Sequence, residues 1–206
     1  MRNLLKIALL GVAALGICSI ARAHVDTPQT DTIVVAGGCF WGVQSVFEHT
    51  RGVTGAVSGY AGGKATTAQY EMVSSGNTGH AESVQVTYDP QQISLSQLLD
   101  IYFTVAHNPT QLNRQGPDSG TQYRSEIFTT SNDQQKAVEA KIDEIHDKHL
   151  FSDPIVTKVE RLRGFYPAEN YHQHYAELHP MNPYILMNDA PKVGKLKSTY
   201  PMLYKE

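Results

Sequence analysis

One cysteine lies in a sequence setting that favours nucleophilic chemistry. Cys39 follows two glycines and precedes Phe40 and Trp41 in the stretch Gly-Gly-Cys-Phe-Trp-Gly, residues 37–42. The β-branched, apolar run 32–36 predicts a strand before it, and apolar residues at helical spacing predict a helix after it. The free N–H groups at a helix N-terminus favour the thiolate, so we expect a reactive thiol beside two aromatic rings. The alternative is a small, buried apolar residue, the usual state of an isolated cysteine.

A reactive thiol needs partners that decide which bond it attacks. The candidates are Glu82 at the edge of a predicted strand, Asp118 in a long polar loop, and the phenols of Tyr70 and Tyr123. Partial burial of Glu82 would keep its carboxyl group protonated and make it a general acid. The commoner alternative for such a residue is a solvent-facing acid at the end of a strand.

Other kinds of site fit the sequence less well. The spacing of His80 and Glu82 is also found in zinc deaminases, but those sites need a Cys-x-x-Cys pair, which this sequence does not contain. A cysteine with a histidine could perform acyl transfer, but no histidine lies in a recognisable triad context. We expect structural or surface roles, and no metal site, for four further histidines. They are His149, His172, His174 and His179.

The first 23 residues have the pattern of an export signal. Two early cations precede an apolar run, 7–17, and a small-x-small cleavage site, 21–23. The run is shorter than the roughly 20 residues that span a bilayer, so no stable membrane insertion is expected after cleavage. Lipidation of Cys18 is disfavoured because Ile17 occupies a position that requires a small residue. The sequence therefore predicts an exported protein of the periplasm, with secretion as the alternative.

The length of the chain after the leader predicts one domain, 24–206, with a core at about 31–178 and an irregular tail, 179–206. The formal net charge of −3 and the lack of a Lys/Arg cluster argue against nucleic acid or an anionic membrane as a partner. Cys39 is the only cysteine beyond the predicted leader. No internal disulfide is therefore expected in the processed protein.

The hydrophobic pattern predicts alternating strands and helices. Further strands are expected at 52–61, 81–88, 123–130 and 155–162, further helices at 94–106, 131–149 and from residue 166, and loops at 70–79 and 107–120. Ser94 and Gln97 have the spacing of a capping box. This order fits an α+β fold, a two-layer α/β sandwich with a mixed or antiparallel sheet, for which we expect a ferredoxin-like core.

Three sequence blocks together resemble the A-type peptide methionine sulfoxide reductases. They are the Gly-Gly-Cys-Phe-Trp-Gly block, Gly-His-Ala-Glu at 79–82, and Gly-Thr-Gln-Tyr-Arg-Ser at 120–125. The first block is highly specific, and the other two add support by their order and spacing. Asn-Tyr-His-Gln at 170–173 is also similar, so the resemblance extends from about residue 31 to residue 175.

The resemblance implies reduction of methionine S-sulfoxide in proteins, in peptides or as the free amino acid. It implies that the Cys39 thiolate attacks the sulfoxide sulfur while Glu82 protonates the oxygen. The other implied roles belong to substrate-binding side chains. They are Tyr70 and Tyr123 as hydrogen-bond donors to that oxygen, Asp118 as a carboxylate in the polar part of the site, and Phe40 and Trp41 as the aromatic wall that receives the substrate methyl group.

The sequence departs from many relatives in the recycling step, because no second cysteine is present near the C-terminus. It resembles a one-cysteine member, in which an external thiol reduces the Cys39 sulfenic acid and no bound cofactor is needed. The donor is a thioredoxin-like protein, a glutaredoxin-like protein or a small thiol. Two other functions remain open: a thiol peroxidase, and an inactive module that only binds oxidised methionine.

Overall fold

The computed structural model describes residues 29–206, which form eight strands and six α-helices. The strands are β1 (Asp31–Ala36), β2 (Val53–Ala61), β3 (Ala81–Tyr88), β4 (Arg114–Gln115), β5 (Asp118–Ser119), β6 (Glu126–Thr129), β7 (Lys158–Arg161) and β8 (Phe165–Pro167). The helices are α1 (Phe40–Glu48), α2 (Tyr70–Val73), α3 (Leu95–Ile101), α4 (Asn132–Asp147), α5 (Tyr175–Leu178) and α6 (Ala190–Thr199). The predicted export signal lies outside the described residues.

Six strands form one sheet in the order β7-β6-β1-β3-β2-β8. All neighbours are antiparallel except β6 and β7, which are parallel. The four central strands, β6-β1-β3-β2, follow the chain order β1-α1-β2-β3-α3-β6 of a ferredoxin-like core. The predicted α+β class and its mostly antiparallel sheet are therefore confirmed.

The sheet is buried on both faces, but unequally. Alternate residues of a strand point to opposite faces, so Ile33 and Val35 of β1 join the main core beneath the helices. Val34 and Ala36 point the other way into a small cluster that includes Phe128. The main core thus lies between the sheet and the helical layer.

Local signals fix where two of the helices begin. Ser94 accepts a hydrogen bond from the Gln97 backbone N–H, and the Gln97 side chain accepts one from the Ser94 backbone N–H. This is the predicted capping box at the start of α3. α3 then continues directly into a π-helical segment, Tyr102–Ala106. Ser131 caps α4 in a similar way by accepting from the Gln134 N–H.

Two predictions for the C-terminal third are wrong. Residues 165–167 form β8 on the edge of β2, where we expected a helix to begin at Tyr166. The tail after residue 178 is not irregular, because a π-helical segment, Ile185–Asp189, leads into α6. Backbone pairing with β2 and packing against α1 override the weak local pattern of these segments.

The two predicted loops also contain regular structure. The first, 70–79, begins with the single turn of α2, and the second, 107–120, contains the short hairpin of β4 and β5. No helix in the described part of the chain is both long and apolar enough to cross a membrane.

Leu196 on α6 tests whether the C-terminal helix is part of the folded core. Its side chain is fully buried in the main core, so Leu196→Ala should lower the free energy of unfolding by about 2–5 kcal/mol in a urea titration. The neighbouring exposed Lys195 is the matched control, and Lys195→Ala should change it by less than about 0.5 kcal/mol. Equal, small losses in both variants would show that α6 is not packed on the domain.

Candidate active site

The pairing of β1 brings the three sequence blocks to one edge of the sheet. Ala36, the last residue of β1, lies opposite Ser83 near the start of β3 and opposite Glu126 at the start of β6. Because these pairs are antiparallel, the chain leaves β1 where it enters the other two strands. The Cys39 block, the Glu82 block and the Gly120–Ser125 loop therefore meet.

Cys39 occupies the position immediately before the first residue of α1, where the sequence placed it. Gly38 reaches this turn with a φ of 91°, a left-handed conformation that glycine adopts without steric cost. A Cβ atom at residue 38 would also lie 2.6 Å from Gln115 of the β4–β5 hairpin. The turn is therefore compact, and Cys39 is only 9% exposed.

The helix N-terminus does not keep the resting thiol ionised, contrary to our expectation. Burial raises the pKa of Cys39 well above its ordinary value, and the nearby carboxyl groups of Glu82 and Asp189 raise it further. A hydrogen bond from the Trp41 backbone N–H and the charge of Lys192 act in the opposite direction but do not compensate. The free protein holds a protonated thiol at neutral pH.

Glu82 is a buried acid next to this thiol. Its Oε2 accepts a hydrogen bond of 3.1 Å from the backbone N–H of Phe40, the residue that follows Cys39. Burial raises the pKa of Glu82 to about 8, against the opposing effect of that hydrogen bond, and Asp118 and Asp189 add to the rise. The carboxyl group is therefore neutral in the physiological range and can donate a proton.

The predicted phenols and the loop carboxylate lie around the same pair of acids. The pKa values of Tyr70 and Tyr123 are both raised, first by burial and then by Glu82, so both remain proton donors. The Tyr70 backbone is held by Glu169, which accepts its N–H at 2.9 Å. Asp118 accepts a hydrogen bond from the hydroxyl of Tyr184.

Phe40 and Trp41 form aromatic surfaces of different kinds. Phe40 is 1% exposed and packs in the main core, whereas Trp41 is partly exposed. The Trp41 ring is stacked on Tyr175, with ring centroids 3.8 Å apart, and its indole N–H donates to His172 Nδ1 at 3.2 Å. The indole is therefore fixed on two sides, and it is the more accessible member of the predicted wall.

A buried hydrogen-bond network holds the end of β1 to the start of β6. The Tyr102 hydroxyl donates to the carbonyl oxygen of Ala36 at 2.7 Å and also contacts Ser125. His107 joins Ser125 through Nε2 at 2.7 Å, and burial lowers the pKa of this histidine to about 3. A neutral His107 thus fixes the loop that leads to β6.

Arg124 fixes the other side of this loop. Its guanidinium pairs with Glu126 at 2.6 Å and donates to the carbonyl oxygens of Gly79 and Thr121. The arginine therefore joins the Gly-Thr-Gln-Tyr-Arg-Ser block directly to the Gly-His-Ala-Glu block. Sequence reasoning had assigned no role to Arg124.

The structure brings to the site residues of the C-terminal segment to which the sequence had given no part in it. They are His172, Tyr175, Tyr184, Asp189 and Lys192, which contact the Trp41 ring, Asp118 or α1. One available signal was Gly42, because glycine is a poor helix former and its presence in the first turn of α1 indicates a close neighbour. No local pattern identifies that neighbour.

Two of the four histidines expected to have structural or surface roles lie in different settings. His172 is buried against Trp41, and His174 hydrogen-bonds Glu48. Glu177 brings a third potential ligand atom within 4.8 Å of this pair at the surface. The hydrogen bond itself accounts for the approach of His174 to Glu48, and the absence of a metal requirement stays a prediction.

The arrangement suits a reaction that needs a sulfur nucleophile and a neutral acid at adjacent positions. The thiol can supply two electrons, Glu82 can supply a proton, and the phenols can hydrogen-bond an oxygen held between them. The partly exposed indole offers an apolar contact at the edge of the same site.

Comparison with known proteins agrees with this chemistry. A family model described as peptide methionine sulfoxide reductase matches residues 31–202. Peptide methionine sulfoxide reductase MsrA 2 of Mesorhizobium japonicum is 56% identical over 179 residues, which cover 87% of this chain and 92% of the relative.

Solved structures show the same relationship. Reduced Mxr1 from Saccharomyces cerevisiae is similar with a TM-score of 0.71 and 34% identity, over 79% of this chain and 93% of that one. Mxr1 in complex with Trx2 is similar with a TM-score of 0.50 and 26% identity, over 73% and 88%. The chain belongs to the peptide methionine sulfoxide reductase family and is an oxidoreductase that reduces methionine sulfoxide.

Proposed function

We propose that the protein reduces the S epimer of methionine sulfoxide, with Cys39 as the nucleophile and Glu82 as the general acid. The observation that carries this proposal is the hydrogen bond from the Phe40 N–H to Glu82, because it fixes a buried acid beside the residue that follows Cys39. The preference for the S epimer follows from the resemblance to A-type enzymes. Proteins, peptides and free methionine sulfoxide are all candidate substrates.

The first half of the reaction moves one oxygen atom from the substrate to the enzyme. The Cys39 sulfur attacks the sulfoxide sulfur and forms an S–S bond as Glu82 protonates the oxygen, because protonation makes that sulfur more electrophilic. The S–S and S–O bonds at the methionine sulfur then break, the hydroxyl group bonds to the Cys39 sulfur, and an electron pair stays on the methionine sulfur. The proton lost by the thiol restores Glu82. Tyr70 and Tyr123 hydrogen-bond the oxygen, and Asp118 lines the polar side. The sulfoxide is reduced by two electrons to methionine, and the Cys39 thiol is oxidised by two electrons to a sulfenic acid.

The aromatic residues bind the apolar part of the substrate. Trp41 presents its partly exposed ring to the substrate methyl group, and Phe40 supports this surface from within the core. Tyr175 and His172 keep the indole in one orientation, so the methyl-binding surface is formed before the substrate arrives.

The second half of the reaction consumes two external thiol groups. The first thiol forms a mixed disulfide with Cys39 and releases water, and the second displaces the Cys39 thiol and leaves the donor as a disulfide. The complex of the related Mxr1 with Trx2 supports a thiol protein as the donor. Cys39 is the only cysteine in residues 24–206, so the mixed disulfide with the donor replaces an internal one.

We also propose that the protein acts after export, as one domain comprising residues 24–206. The support is the export-signal pattern of residues 1–23. N-terminal sequencing of the protein from the periplasmic fraction should give a chain that begins at residue 24. Recovery of the unprocessed chain from the cytoplasm would contradict this proposal.

Substitutions of the two acids test the proposed roles directly. With dithiothreitol and the S epimer, Cys39→Ser should abolish methionine formation, because oxygen has no comparable nucleophilicity. Glu82→Gln should lower kcat/KM by roughly 10²- to 10⁴-fold, the usual contribution of a positioned acid. The measurement is product formation with each epimer separately.

Glu139→Gln is the matched control for the carboxyl substitution, because Glu139 is exposed on α4 and is not among the groups that shift the pKa of Cys39. It should retain wild-type activity. Full activity of Glu82→Gln near neutral pH would exclude Glu82 as the acid. Peroxide consumption by the wild type without methionine formation from either epimer would favour the thiol peroxidase function instead.

The recycling proposal predicts a single oxidised species. One turnover of wild-type protein without a thiol donor should add one oxygen atom at Cys39, detected by mass spectrometry of the peptide that contains it. Addition of dithiothreitol should remove that oxygen. Methionine formation that continues through many turnovers without any thiol would contradict the proposed cycle.

The neutral state of Glu82 also predicts a dependence of stability on pH. Because its pKa is near 8 in the folded protein and about 4.3 in an unfolded chain, the folded state holds the extra proton between these values. The free energy of unfolding should therefore fall as pH rises from 5 to 8, and fall less in Glu82→Gln. The difference in slope should reach about 1.4 kcal/mol per pH unit in urea titrations. Identical slopes would show that Glu82 is ionised throughout.

A further inference from the structure

The segment that leads into α6 places two opposite charges against the first turn of α1. A Cβ atom at Gly42 would lie 2.0 Å from Asp189 Oδ1 and 2.7 Å from Lys192 Nζ. Only glycine leaves room for this approach. Cys39 immediately precedes this helix, three residues before Gly42, and the charges of both Asp189 and Lys192 act on its thiol.

Asp189 is buried to a degree that is rare for a carboxylate. Its exposure is 0%, and Lys192 pairs with its Oδ1 at 3.1 Å. The other oxygen, Oδ2, is buried and has no hydrogen-bond partner among the described residues. A buried carboxylate with one unpartnered oxygen lowers the stability of the fold. Its presence therefore indicates a role beyond packing.

The ion pair is also asymmetric in its exposure. The Lys192 side chain remains 18% exposed, whereas that of Asp189 is fully enclosed. The positive charge therefore lies nearer to solvent than the negative one. Mutation of either residue leaves the other charge beside α1.

We propose that Asp189 and Lys192 are positioning residues for the reaction at Cys39: held against Gly42, they set how readily the Cys39 thiol loses its proton. This inference rests on the proposed function of Cys39 as the nucleophile. Asp189 opposes ionisation of the thiol, and Lys192 favours it. Both effects are electrostatic and act through Cys39 without contact with the substrate.

Other charged and titratable groups face Cys39 from neighbouring elements. They are Glu82 on β3, Tyr70 on α2, Tyr123 in the loop before β6, and Tyr184 in the C-terminal segment. Asp189 also raises the pKa values of Glu82 and Tyr184, so Asp189→Asn lowers these as well, and the Lys192 variants give the more direct measure of the ion pair.

The opposite signs of the two charges give a sharp test. The rate at which iodoacetamide alkylates Cys39 is measured from pH 6 to 11 on the full chain, by mass spectrometry of the peptide that contains Cys39. Asp189→Asn should shift the midpoint of this profile to lower pH by about 0.5–1 unit, and Lys192→Met should shift it to higher pH by a similar amount. The double variant should return close to the wild-type midpoint.

Two further variants separate charge from structure. Lys192→Arg keeps the positive charge and should restore the wild-type midpoint, whereas Lys195→Met removes an exposed lysine of the same helix and should leave it unchanged. If Asp189→Asn does not fold, the alkylation profiles of Lys192→Met and Lys192→Arg alone test the proposal. Shifts in the same direction for both substitutions, or no shift in Lys192→Met, would overturn the proposal.

The readout is independent of sulfoxide reduction. Alkylation reports the ionisation of Cys39 whether or not methionine is formed. Opposite shifts in a protein that reduces neither epimer would refute the proposed function and leave the electrostatic role of the pair in place.

Discussion

Two buried acids, the thiol of Cys39 and the carboxyl group of Glu82, share one site and oppose each other's ionisation, and the rest of the active-site structure follows from that constraint. Burial raises the pKa values of the Cys39 thiol and the Glu82 carboxyl group, and each negative charge would raise the other. The free protein therefore holds both groups protonated at neutral pH, so neither carries a charge that opposes the other.

The ferredoxin-like sheet supplies the geometry of this site. Antiparallel pairing puts the end of β1 next to the start of β3, so the separation of Cys39 and Glu82 is set by backbone hydrogen bonds. The Phe40 N–H then joins the two blocks directly. Tyr70 on α2, Asp118 in β5 and Tyr123 before β6 come from short peripheral segments, whereas the main sheet fixes Cys39 and Glu82. A site built on strands holds its geometry better than one built on loops alone.

The residues that sequence predicted correctly are those with strong local patterns. The strand before Cys39, the capping box at Ser94 and the alternation of β3 each lie within a few residues of the feature they specify. The sequence could not show β8, since three residues become a strand only because β2 offers an unpaired edge. The predicted thiolate form of Cys39 is also wrong, because a helix N-terminus can be recognised in the sequence whereas burial by distant segments cannot.

The C-terminal segment takes part in the site through its packing on α1. This segment packs α6 onto α1 and brings Tyr184 against Asp118 and Asp189 against Gly42. A tail packed in this way cannot also swing toward Cys39 without exposing Leu196 and leaving Asp189 without Lys192. The packing of α6 on α1 therefore holds the segment that places Tyr184 against Asp118. Gly42 is the residue on which this packing depends, because any side chain there would displace the segment.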